Sequence, residues 1–160
     1  MEYIPISPGN KIGAIYDATN QFTLSFDLKL GEINNSSGSI LRLTSTSKDC
    51  CDYGDKWLAI WYEATDNVMK FSADNTQDGE KIIQVHDMTN YTTKVKVRGR
   101  GNDIDVFVNE TKKGALSNVN RPLIYKIYVY ASEQADMKNE TLQGDMHNFW
   151  FNAIASTASC

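Results

Sequence analysis

Thr92 to Glu110 reads TTKVKVRGRGNDIDVFVNE, and its alternation decides the class of fold. Val95 and Val97 point one way and Lys94, Lys96 and Arg98 the other; Gly99 to Asn102 then turn the chain back into Ile104, Val106 and Val108. Period-2 alternation on both sides of a glycine-containing turn is the signature of a β-hairpin with one dry and one wet face.

The same pattern extends outward in both directions. In Phe22 to Leu30, FTLSFDLKL, five apolar residues alternate with Thr23, Ser25, Asp27 and Lys29. ILRLT, WLAIWYE, VMKFSA, IIQV, IYKIYVYA and MHNFWFNAI supply further short apolar segments, separated by the polar loops GEINNSSGS, STSKDCCDYGDK and ADNTQDGE and the turn ATDN. WLAIWYE is apolar at both parities, which predicts a central strand covered on both faces. In the last segment strict alternation places His147, Phe149 and Phe151 on one face and Met146 and Trp150 on the other. No segment sustains a 3.6-residue period. Short strands without intervening helices predict an all-β, antiparallel sandwich in one domain spanning residues 1–160.

Composition narrows the function. At 160 residues the chain can bury a core without a dense disulfide framework. A net charge of −4 provides no overall field for nucleic acid, and no apolar run is long enough to span a bilayer, so neither nucleic-acid binding nor membrane insertion is expected. Sequons at Asn34, Asn35, Asn90, Asn109 and Asn139 fall in predicted turns or loops and point to a secreted, glycosylated protein. Cys50 and Cys51 are adjacent and could pair with each other only through a strained ring. The expected disulfide therefore joins Cys51 to Cys160, with Cys50 as the alternative, leaving one thiol free or intermolecular.

In order, FTLSFDLKL, SILRLTS, YGDKWLAIWYE, IDVFVNETKKGALSNVNRP, KIYVYASE and MHNFWF resemble the landmarks of laminin-G-like domains of the concanavalin A-like lectin/glucanase superfamily, over about residues 12 to 152. The resemblance implies a jelly roll of two curved antiparallel sheets with the first and last strands near each other. It also implies an extracellular binding or adhesion module, and it raises the prospect of calcium at the rim of the sandwich.

Four groups of residues carry possible chemistry. Glycoside hydrolysis needs two flanking carboxylates, and the Glu-x-Asp-x-x-Glu run of glucanase relatives is missing, so no enzyme is expected. Asp49, Asp52 and Asp55 are spaced to fold around a calcium ion, or else to cap turns through their own carboxylates. Lys94, Lys96 and Arg98 share one strand face and suit a sulfated glycan; the alternatives are a solvated face neutralised by Asp103, Asp105 and Glu110, or an edge strand guarded by lysine. Asp105 is expected to pair with Lys96 or Arg98 across the ladder. Tyr53, in a loop, is the aromatic placed to stack on a sugar, whereas Trp57, Trp61, Tyr128, Tyr130 and Trp150 lie in strand segments where core filling is the expected role. The partner is then a glycan or an extracellular protein. The rival expectation is a structural subunit that self-associates through edge strands or an intermolecular disulfide.

Overall fold

The computed structural model describes residues 3–7, 10–18, 21–31, 37–44, 57–73, 81–86, 88–89, 91–117, 124–131, 142 and 144–153. Among them the chain forms twelve strands: β1 (Tyr3–Pro5), β2 (Lys11–Ala18), β3 (Phe22–Leu30), β4 (Gly38–Thr44), β5 (Leu58–Glu63), β6 (Val68–Ala73), β7 (Lys81–His86), β8 (Thr93–Arg100), β9 (Asp103–Val108), β10 (Thr111–Leu116), β11 (Ile124–Tyr130) and β12 (Gly144–Ala153). They build two six-stranded antiparallel sheets. The order in sheet A is β1-β12-β3-β8-β9-β10, and in sheet B it is β2-β11-β4-β5-β6-β7. The first strand pairs with the last, Tyr3 opposite His147. This is the expected jelly-roll sandwich.

Alternation explains the burial strand by strand. In β3 the side chains of Phe22, Leu24, Phe26, Leu28 and Leu30 are buried while Thr23, Ser25 and Asp27 stay partly exposed. Val95 and Val97 of β8 and Ile104 and Val106 of β9 meet them from the same sheet, and Leu41, Leu43, Ile60, Phe71 and Val129 face them from sheet B. Each such side chain contributes about 1.5–3 kcal/mol by leaving water. Strands β4 and β5 are buried at both parities, as the continuous apolar run of WLAIWYE requires.

The β8–β9 hairpin is tighter than its glycines suggest. Gly99 and Arg100 remain in β8, paired with Ile104 and Asp103, so only Gly101 and Asn102 form the loop. Gly101 has φ +62, a conformation that L side chains rarely adopt, and the pattern is that of a II′ turn. The next hairpin, β9–β10, turns through Asn109 (φ 50) and Glu110 (φ 70), the I′ pattern with a non-glycine residue where glycine is favoured. Replacing Glu110 with glycine is therefore expected to raise stability by about 1 kcal/mol by removing left-handed strain. The exposed contact it gives up, Lys94 Nζ to Glu110 Oε1 at 3.7 Å, is weak. A thermal midpoint that falls in this variant would show that the contact outweighs the strain.

Strands β2 and β10 lack the clean alternation of the others. β10, TKKGAL, is nearly all exposed because it is the edge of sheet A, and its Lys112 and Lys113 discourage pairing with another chain. A Cβ on Gly114 would lie 2.7 Å from Ile83 Cγ2, so this glycine lets β10 close against β7 where the sheets meet. The turn between β5 and β6 is locked by Asn67: its Oδ1 accepts from Tyr62 Oη at 2.6 Å, and its Nδ2 donates to the Met88 carbonyl at 2.9 Å.

Candidate functional site

Strand β8 presents Lys94, Lys96, Arg98 and Arg100 on the outer face of sheet A. It lies between β3 and β9, so these cations do not guard an edge; that role falls to β10. The interior position comes from the long ladder with β3, in which every apolar residue of β8 is needed for the core. Opposite them on β9, Asp105 is only 1% exposed although its side chain lies on the outward row. It is buried by cations. Arg100 Nε donates to its Oδ2 at 2.8 Å, Arg98 Nη2 approaches the same oxygen at 3.4 Å, and Lys112 Nζ of β10 lies 3.3 Å from Oδ1.

The hydrogen bond from Arg100 is the main reason that the Asp105 carboxyl is held down to about 2, and Asp105 in turn raises the pKa of Arg100. The expected pairing with Arg98 is present. The expected pairing with Lys96 is not: Lys96 Nζ sits over the Phe107 ring, 5.1 Å from its centroid, because Phe107 and not Asp105 is its cross-strand partner. Arg98 lies over the same ring at 5.3 Å. Lys96 has no carboxylate partner among the described residues. The neutralisation expected of this face is thus partial: Arg98, Arg100 and Lys112 share the single carboxylate of Asp105, and Lys96 pairs with none among the described residues.

Strict alternation fails in β12, and the failure defines the site. Met146 pairs with Leu28 in the core and His147 with Asp27 on the outer face, but the next aligned pair is Trp150 with Ser25. Asn148 and Phe149 together oppose Phe26, a β-bulge, and Asn148 takes the left-handed φ of 55 that Asn tolerates better than most residues. One extra residue reverses the parity. Phe149 and Phe151 pack inward against Phe26 and Phe22, while Trp150 turns out beside His147 and is 50% exposed. The expected grouping of Met146 with Trp150 is therefore corrected: they occupy opposite faces. The one signal in the sequence is Asn148 within an apolar strand.

Polar groups surround Trp150. His147 Nε2 lies 2.9 Å from Asp145 Oδ1, and Asn148 Nδ2 donates to Asp27 Oδ2 at 2.8 Å. Row by row the outer face of sheet A runs Trp150, Ser25, Lys96, Phe107, Lys112 and, beside it, Asn152, Thr23, Arg98, Asp105.

The outer face of sheet B differs. Tyr130, Arg42, Ala59 and Ser72 form one row and Trp61, Lys70 and Gln84 another. Trp61, Tyr128 and Tyr130 are therefore turned away from the core, contrary to the expected filling role, while Trp57 is fully buried in keeping with it. Arg42 is 2% exposed, and Thr44 and Ser72 are fully buried, so the middle of this face is closed to a ligand. A cleft of about 210 Å³ opens where β7 and β10 meet, lined in part by His86, Met88, Thr93, Thr111 and Lys113; the bulge between Lys112 and Gly114 aims Lys113 into it.

Several expected residues lie outside the described set: Asp49, Asp52 and Asp55, Tyr53, Cys50, Cys51 and Cys160, and the sequons at Asn34, Asn35, Asn90 and Asn139. Among the described residues no three His, Cys, Asp or Glu side chains cluster to hold a metal. Asn109 is described and exposed at the β9–β10 turn, its Oδ1 accepting from the Lys94 amide at 2.9 Å.

No protein-family model matches the chain, and no curated protein matches it. Solved structures do. A heptameric SAP-like pentraxin from Limulus polyphemus is similar over 93% of this chain and 68% of its own, with TM-score 0.59 and 13% identity. A polysaccharide lyase of family 18 is similar over 94% and 86%, with TM-score 0.62 and 12% identity. The binding domain of botulinum neurotoxin serotype D is similar over 93% of this chain and 38% of its own, with TM-score 0.64 and 12% identity. At such identities the likeness is one of fold, and the fold it shows is the jelly-roll sandwich of the concanavalin A-like type.

Proposed function

We propose that this chain is a non-catalytic, secreted, laminin-G-like binding module that recognises a glycan or an extracellular protein through the outer face of sheet A. The observation that carries the reading is Trp150. A tryptophan in an interior strand has a core to enter, yet a two-for-one bulge and a left-handed Asn148 turn it into solvent amid polar side chains. Bulges and local backbone strain of this kind concentrate where a side chain has to be aimed at a partner. An exposed indole offers a flat apolar surface with one N–H donor, suited to a sugar ring or to a partner's side chain.

The structural likeness to the binding domain of a botulinum neurotoxin supports the reading. The likeness to a lyase does not redirect it, because at 12% identity it is a likeness of fold.

The test is a glycan array and an extracellular-protein binding panel, each probed with the wild-type chain and with Trp150→Ala. Trp150-dependent binding on either supports the reading; two blank panels, or binding indifferent to Trp150, overturn it. Sedimentation of the same preparations separates recognition of a partner from self-association.

A further inference from the structure

We propose that the cleft between β7 and β10, where the edges of the two sheets meet, is a binding site for a small organic anion, a carboxylate or phosphate ester on a short apolar body. The site is separate from the face that carries Trp150 and does not rest on the binding-module reading.

Two edge strands make the cleft. β7 ends sheet B and β10 ends sheet A. They come together at Gly114, where a side chain would strike Ile83; farther along each strand, at Thr111 and His86, they bound an opening of about 210 Å³. Both walls are pinned. Asn67, itself left-handed at φ 48, donates through Nδ2 to the Met88 carbonyl at 2.9 Å and accepts from Tyr62 Oη at 2.6 Å, which fixes the segment after β7. On the other side the Asn109 amide donates to the Lys94 carbonyl at 2.8 Å, and its Oδ1 accepts from the Lys94 amide at 2.9 Å, which fixes the β9–β10 turn. A cleft held in shape by such bonds costs a ligand little to organise.

The lining sets the ligand class. Val85, Met88 and Val108 are buried and give an apolar floor, while His86 of sheet B and Lys113 of sheet A are exposed at the rim. A β-bulge brings Lys113 there. In a regular strand the residue after Lys112 would take the inward place opposite Val106; the bulge gives that place to Gly114 and leaves Lys113 at the cleft, while Lys112 goes to Asp105. Neither His86 nor Lys113 has an ion-pair partner among the described residues, and no carboxylate among them lines the cleft. Thr89, Thr93 and Thr111 add hydroxyls, and Asn109, whose Oδ1 is taken, has Nδ2 left to donate. A rim of donors and positive charge above an apolar floor suits an anionic head on a hydrocarbon body; a cation would find no counter-charge. Benzene fills a cavity of about 150 Å³, so the volume here has room for a ring and its charged group.

The experiment is a titration of the full, isotope-labelled chain with benzoate, phenyl phosphate and neutral benzamide, followed through the backbone amide resonances by two-dimensional NMR. Saturable shifts at Val85, His86, Thr89, Thr111 and Lys113 with benzoate, phenyl phosphate or both are the expected result, with a dissociation constant of about 0.1–10 mM for ligands of this size. Benzamide should bind about threefold more weakly or worse, and the two anionic arms tell carboxylate from phosphate. Lys113→Gln should weaken anion binding about three- to fivefold and flatten its dependence on salt. Thr111→Trp, which fills the mouth from an exposed position, should abolish it, while melting curves confirm that both variants are folded. No saturable shift at these residues up to about 50 mM of either anion, equal binding of benzamide, or anion binding untouched by Lys113→Gln overturns the inference. None of those outcomes bears on the binding-module reading, which fails only if the glycan and protein panels are blank or indifferent to Trp150.

Discussion

Replacing Trp57 with alanine is expected to lower stability by about 3–5 kcal/mol, the cost of emptying a large aromatic site that the surroundings cannot refill. Trp57 is fully buried just before β5 of sheet B, and its ring lies 5.0 Å from that of Phe22 at the start of β3 in sheet A. Phe22 in turn stacks on Phe151 of β12 at 5.6 Å. Three aromatic rings thus join the two sheets at one end of the sandwich. Losing the sheet B end of that contact should lower the thermal midpoint by about 10 °C or more for a chain of this size. Trp57→Phe should recover part of the loss by keeping the ring-to-ring contact with Phe22. Urea melts of the two variants check the claim; a loss below about 1 kcal/mol for Trp57→Ala would mean that the sheets are held together elsewhere.

Asp105→Asn is expected to cost about 2–3 kcal/mol at neutral pH, because three cations converge on a carboxylate that the substitution makes neutral. Its pH dependence identifies the cause. The folded-state pKa, about 2, lies below the ordinary value of 3.8, mainly because of the hydrogen bond from Arg100. A depressed carboxylate contributes stability that is fully present above the unfolded pKa and is lost as pH falls from about 4 to about 2; the depression corresponds to about 2 kcal/mol. Urea midpoints measured from pH 7 down to pH 2 should therefore show a wild-type advantage over Asp105→Asn that is constant above about pH 5 and shrinks toward acid. Parallel curves through that range would show that Asp105 acts through shape rather than charge.

How far the site is legible in the sequence differs residue by residue. The turning-out of Lys94, Lys96 and Arg98 follows from alternation alone, and so does the pairing of Arg98 with Asp105, since both depend on one hairpin whose turn is local. The convergence of Lys112 on the same carboxylate does not. It needs β10, a strand with almost no apolar signal, folded back by the turn at Asn109 and Glu110. Trp150 is the larger case: its apolar character argues for the core, and only a single extra residue between His147 and Trp150 reverses that. A bulge changes parity without changing composition, so no periodicity count detects it; Asn148, tolerant of left-handed backbone, is a hint visible once the partner strand is known.

The sequence by itself determined the class of fold, because period-2 patterning with polar loops between short strands leaves a two-layer antiparallel sheet as the way to bury every apolar face. It also determined which side of β3, β8 and β9 is dry. Tertiary structure alone decided which strands become neighbours, that β8 is interior and β10 the edge, and that Trp150 and Lys96 face each other across Ser25. The β3–β8 and β3–β12 pairings behind those relations join segments more than 50 residues apart, and register is a property of two strands together: the same local alternation is satisfied by any pairing until the whole core is packed.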